Sequence, residues 1–199
     1  MNKKQIIFTF GLAVTGTIYS ASTLGAMLSC NTDPSKNYMQ IDDTEAAACL
    51  ASGSGNITGN PSKDIFLTGP AGNDYGVASL TDGTNPYSLA YTQENQSGKN
   101  GTWSFDQAFW DDFSEGAIGF KFGTGQTYDQ WFVFELQPGA SSGSWDFFFG
   151  SMFSKHTGGG LSHVNLYGKQ ASVPEPGSLA LLGLGLAGLM LARRRANVL

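Results

Sequence analysis

Between residues 27 and 172 the chain contains no arginine, and all 199 residues include only two histidines and two cysteines. Each scarcity excludes something. His156 and His163, seven residues apart, match no zinc-ligand spacing. Without arginine, six lysines stand against fifteen acidic residues in that stretch, so nucleic acid is repelled rather than held. Gly53-Ser54-Gly55 lacks the Gly-x-Ser-x-Gly spacing of a nucleophile elbow. Gly123-Thr124-Gly125-Gln126-Thr127 lacks the lysine of a phosphate loop. Asp111 and Asp112 near Glu115, and Asp74 with Asp82, offer oxygen ligands without the twelve-residue calcium-loop pattern. Glu135 sits on an expected strand with no identifiable partner for glycoside hydrolysis. No catalytic residue, metal or cofactor is assigned, and an enzyme is not expected.

What is present points to β structure. The 27 glycines are about twice the usual share, and serine, threonine and asparagine are abundant too. After Lys63, apolar residues alternate with period two. Trp103 and Phe105 share a face, as do Ile118, Phe120 and Phe122, then Phe132, Phe134 and Leu136. Trp145, Phe147 and Phe149 follow, then Val164 and Leu166. Asn100-Gly101, Gly123 to Gly125, Pro138-Gly139 and Gly158 to Gly160 punctuate them. The expectation is an all-β fold, an antiparallel β-sandwich of the jelly-roll sort over residues 27–170. Thr44-Glu45-Ala46-Ala47-Ala48 favours a short helical turn, and Ser52 to Lys63 reads as a loop. His163 is expected at a solvent-facing or edge position. Trp131 lies opposite Phe132 and Phe134, and Trp110 adjoins two aspartates. These two are the candidate exposed rings for stacking on sugar; Trp103 and Trp145 alternate with Phe and read as core.

Both ends differ from the middle. Lys3 and Lys4, an apolar run of about 13 residues from Ile6 to Ile18, and small residues after it form a signal peptide over residues 1–26. Tyr19-Ser20-Ala21 and Leu24-Gly25-Ala26 are alternative cleavage sites. Once exported, Cys30 and Cys49 meet an oxidising compartment, and a disulfide between them is expected. Acylation of Cys30 is the alternative, disfavoured by Met27 three residues before it and by its distance from the apolar run. The tail spans 171–199. Val173-Pro174-Glu175-Pro176 precedes an uncharged stretch, 177–192, which is followed by Arg193, Arg194 and Arg195. The prolines hold the backbone extended, Ser178 can cap a membrane helix, and the three arginines anchor its cytoplasmic side. Gly183 with Ala187, and Gly188 with Ala192, have the spacing of close helix packing.

That order of motif, short helix and arginine cluster resembles the PEP-CTERM sorting signal. The resemblance implies that Val173 to Pro176 are recognised by an exosortase, a membrane-embedded cysteine transpeptidase. It implies a protein anchored in the inner membrane before processing and delivered to the cell surface or extracellular matrix afterwards, with exopolysaccharide as a further partner. More loosely, Gly101 to Tyr167 resembles β-sandwich domains that precede such tails, in its Trp-Ser-Phe, Phe-Val-Phe-Glu-Leu and Leu-Ser-His-Val-Asn-Leu-Tyr strands. The reading that results is a non-catalytic surface or matrix protein. A polysaccharide-binding module is the alternative and a glycoside hydrolase the third.

Overall fold

The computed structural model describes residues 25–31, 36–94, 99–123, 129–150 and 160–170, with helical residues 181, 183–188 and 193 of the tail. The signal peptide up to residue 24, His156, and Val173 to Pro176 lie outside the described residues. So does most of the expected membrane helix. Among the described residues no helix is long and apolar enough to cross a membrane.

Among the described residues, ten strands and one helical turn make up the domain. In chain order they are β1 (Met27–Cys30), β2 (Tyr38–Asp42), β3 (Ala46–Ser54), β4 (Gly76–Leu80), β5 (Ala90–Tyr91) and β6 (Asn100–Ser104). After the turn α1 (Phe109–Asp112) come β7 (Glu115–Phe122), β8 (Gln130–Leu136), β9 (Ser142–Phe148) and β10 (Leu161–Lys169). Two five-stranded sheets result, ordered β1-β2-β9-β6-β5 and β3-β8-β7-β10-β4, and every pairing is antiparallel.

The alternation read in the sequence becomes the inner faces. Ile118, Phe120, Phe122, Phe132, Phe134, Leu136, Val164 and Leu166 of one sheet share a core with Met39, Ile41, Trp103, Trp145 and Phe147 of the other. Phe122 and Phe147 stack across the layers with ring centroids 4.1 Å apart. Burying rings of this size contributes several kcal/mol of apolar transfer apiece. The connection between β2 and β3 departs from expectation. Asp42 accepts from the Thr44 amide at 2.9 Å and from its hydroxyl at 2.6 Å, closing a tight turn. Ala46 and Ala48 then pair with Leu136 and Glu135. Ladder bonding thus overrides the local helix propensity of Thr44 to Ala48, and Ser52 to Ser54 belong to a strand rather than to a loop.

Cys30 and Cys49 are joined in a disulfide with their Cα atoms 5.1 Å apart. The bond ties β1, at the edge of one sheet, to β3, at the edge of the other, and so fastens one open side of the domain.

Candidate functional site

Much of the outer face of the β3-β8-β7-β10-β4 sheet is covered, while Glu115, Lys121, Glu135 and Lys169 keep part of it in contact with water. Residues 55–75 fold back across it and form a second apolar layer of Ile57, Phe66, Leu67, Ala117, Trp131, Val133 and Tyr167. Two glycines allow the close approach. A Cβ at Gly119 would lie 2.9 Å from both Ile57 Cδ1 and Tyr167 Cε2, and one at Gly53 would lie 2.9 Å from Trp131 Cζ2. Trp131 is therefore only 5 % exposed and offers no ring face to a sugar, contrary to the expectation from alternation. Period two identified its face correctly; what covers that face comes from a segment whose composition reads as solvated loop.

A carboxylate buried beneath that segment holds it down. Asp64 is fully buried, and its Oδ1 accepts from the amides of Phe66 (2.9 Å) and Leu67 (3.2 Å). Its Oδ2 accepts from the Gly59 amide at 2.7 Å and from the Tyr167 hydroxyl at 3.1 Å. Asn165 Nδ2 donates to Ile57 O at 3.1 Å and to the Tyr167 hydroxyl at 3.0 Å, and His163 Nε2 lies 2.8 Å from the same Ile57 carbonyl. His163, Asn165 and Tyr167 alternate along β10, so one strand supplies three polar clasps. His163 is 7 % exposed, which corrects its expected solvent-facing position. Burial, and then the Asp64 charge, push the Tyr167 hydroxyl well above its ordinary pKa. The Leu161 to Tyr167 strand was visible in the sequence as a recurring pattern, but Asp64, some hundred residues away, carried no signal of its own.

Trp110 is half-buried against the main core, with its indole Nε1 donating to Ala140 O at 3.0 Å and its ring edge-on to Phe109. Its place is structural, and the structure does not bring it near Trp131. Glu135 is half-buried on the covered face beside Tyr75, whose hydroxyl is pushed up to about 12 by burial and by the charges of Glu135, Glu115 and Asp74. Among the described residues no three His, Cys, Asp or Glu side chains converge as a metal site.

A cleft of about 280 Å³ opens elsewhere, lined by Asn31, Lys36, Asn37, Ser52, Gly53, Ser54, Gln130 and Phe132. In the sequence Phe132 reads as core and Ser52 to Ser54 as loop, and the remaining lining residues carry no signal, because amides in a chain this rich in polar residues are indistinguishable from surface.

The tail follows directly: β10 ends at Lys169, and the family model of the PEP-CTERM protein-sorting motif matches residues 172–195. The chain matches no curated protein and no solved structure. The tail thus carries the sorting motif that its residue order resembles, consistent with a PEP-CTERM protein and exosortase substrate. Such a motif implies export, membrane anchoring and then processing.

Proposed function

We propose that this chain, whose tail carries the PEP-CTERM sorting motif, is a non-catalytic component of the cell surface or extracellular matrix, released or transferred from the membrane by exosortase action at Val173 to Pro176. The match over residues 172–195 is the observation that carries the reading. The domain ahead of it supports a structural role, since its aromatic rings are invested in two packed layers and a disulfide suits an oxidising exterior. The strand order also has a jelly-roll character in this reading. β2 pairs with β9, β3 with β8 and β5 with β6, as in a long hairpin rolled on itself, and β10 enters between β7 and β4.

The deciding experiment is the intact mass of the protein from a host with its exosortase and from one without it. Loss of the mass beyond Val173 only when the enzyme is present supports the proposal. An unchanged tail in both hosts overturns it and leaves a membrane-anchored domain.

A further inference from the structure

The cleft lies at the mouth between the two sheets, at the pole where β7 ends and β8 and β10 begin. Ser52 and Ser54 flank Gly53 on β3, and the vacant Cβ position of Gly53 faces Trp131 in the outer layer. The two serines therefore look inward, in register with Phe132 and Gln130 of β8. Asn31 and Asn37 approach from the opposite sheet, at the ends of β1 and β2. The lining is thus three amides, two hydroxyls and one ammonium, with the apolar surface of Phe132 among them. In a chain with 16 acidic residues, none of its described lining residues is a carboxylate.

Amides and hydroxyls each donate and accept, so they match the vicinal hydroxyls of a sugar; Phe132, 2 % exposed, only closes the floor of the cleft. A second observation concerns Asn37, which is 1 % exposed. Its Oδ1 accepts from the Gly150 amide at 3.0 Å, yet its Nδ2 has no partner among the described residues. An unpaired buried donor costs about 1–3 kcal/mol, and such groups collect where a ligand or water completes the bonding.

We propose that this cleft binds one unit of a neutral sugar, held by Asn31, Asn37, Ser52, Ser54 and Gln130. Nine residues of β10 separate its pole from the start of the tail, about 30 Å at the rise of a strand. The cleft therefore opens away from the end of the domain at which the tail begins. The site does not depend on tail processing.

The full chain, ¹⁵N-labelled in a non-glycosidic detergent, is titrated with the methyl glycosides of glucose, galactose and mannose, and separately with sodium glucuronate. The expected result is saturable movement of the Asn31, Asn37 and Gln130 side-chain amide signals with at least one neutral glycoside. Ser54→Leu, which fills the cleft, should raise Kd at least about tenfold, and Gln130→Ala should weaken binding without disturbing the core. No saturable movement with any neutral glycoside overturns the proposal. So does a response to glucuronate alone, or an affinity unchanged in both variants.

Discussion

Trp131 and Asp64 show how much depends on single side chains in the outer layer. With Trp131 buried against Gly53 and its indole N–H without a partner among the described residues, its value lies in packing. Trp131→Ala should lower unfolding stability in denaturant by about 3–5 kcal/mol, whereas a ring on the surface would change it by at most about 0.5 kcal/mol. Trp131→Phe should recover much of the loss, because the smaller ring also removes a buried donor without a partner. Asp64→Ala strands four donors, those of Gly59, Phe66, Leu67 and Tyr167. The expected outcome is local rather than global. Amides of residues 55–75 should exchange with deuterium far faster, while those of β7 and β8 stay protected, since a clasped segment can open before the sheet beneath it. Uniform loss of protection would mean that the outer layer and the sandwich unfold as one. Tyrosine ionisation gives the pH counterpart. Tyr75 and Tyr87 are held up to about 12, the first mainly by burial and the second mainly by its bond to Asp112, and Tyr167 is raised well above its ordinary value, mainly by burial. Above about pH 10 the unfolded chain releases these protons before the folded one does. The stability these groups contribute is therefore fully present below that point and is lost as pH rises through their raised folded values. A melting series at rising pH checks this, and Tyr167→Phe should flatten the slope.

At the level of elements, the strands on which aromatic residues alternate were legible. β6 to β10 follow from apolar residues, many of them rings, at every second position, a pattern that no helix satisfies. The earlier strands were harder. β3 is Ala46-Ala47-Ala48-Cys49-Leu50-Ala51-Ser52-Gly53-Ser54, a composition suited to helix or loop, and it becomes a strand because β8 offers a ladder. The cleft was illegible for a related reason: its residues come from β3, β8 and the connection between β1 and β2, which meet only in the folded chain. Cysteine pairing was different, because export and an even count pointed to a bond whatever the fold. The observed disulfide closes 19 residues of chain separation and joins two sheet edges. Cys30→Ser with Cys49→Ser should cost about 3 kcal/mol by the loop-entropy estimate, read as a lowered Tm that added reductant does not lower further. An equal Tm in the oxidised parent and the double variant would show that β1 is held by its pairing with β2 alone.

For the whole molecule, the order in which strands appear along the chain matters as much as their number. β4 and β7 do not bond to each other; both bond to β10, the last strand of the domain, which fills the space between them. The same strand carries the clasps that fasten residues 55–75. A chain that crosses a membrane from its N-terminus therefore presents a sheet with a vacancy between β7 and the edge strand β4 until residues 161–169 have emerged. Until then two rows of backbone donors and acceptors stay open to any passing strand, and contacts this distant in sequence form slowly. Only two residues separate the end of β10 from the start of the sorting-motif match. Completion of the sheet and arrival of the tail at the membrane are thus nearly one event, and a molecule released before that moment would leave as an unfinished one.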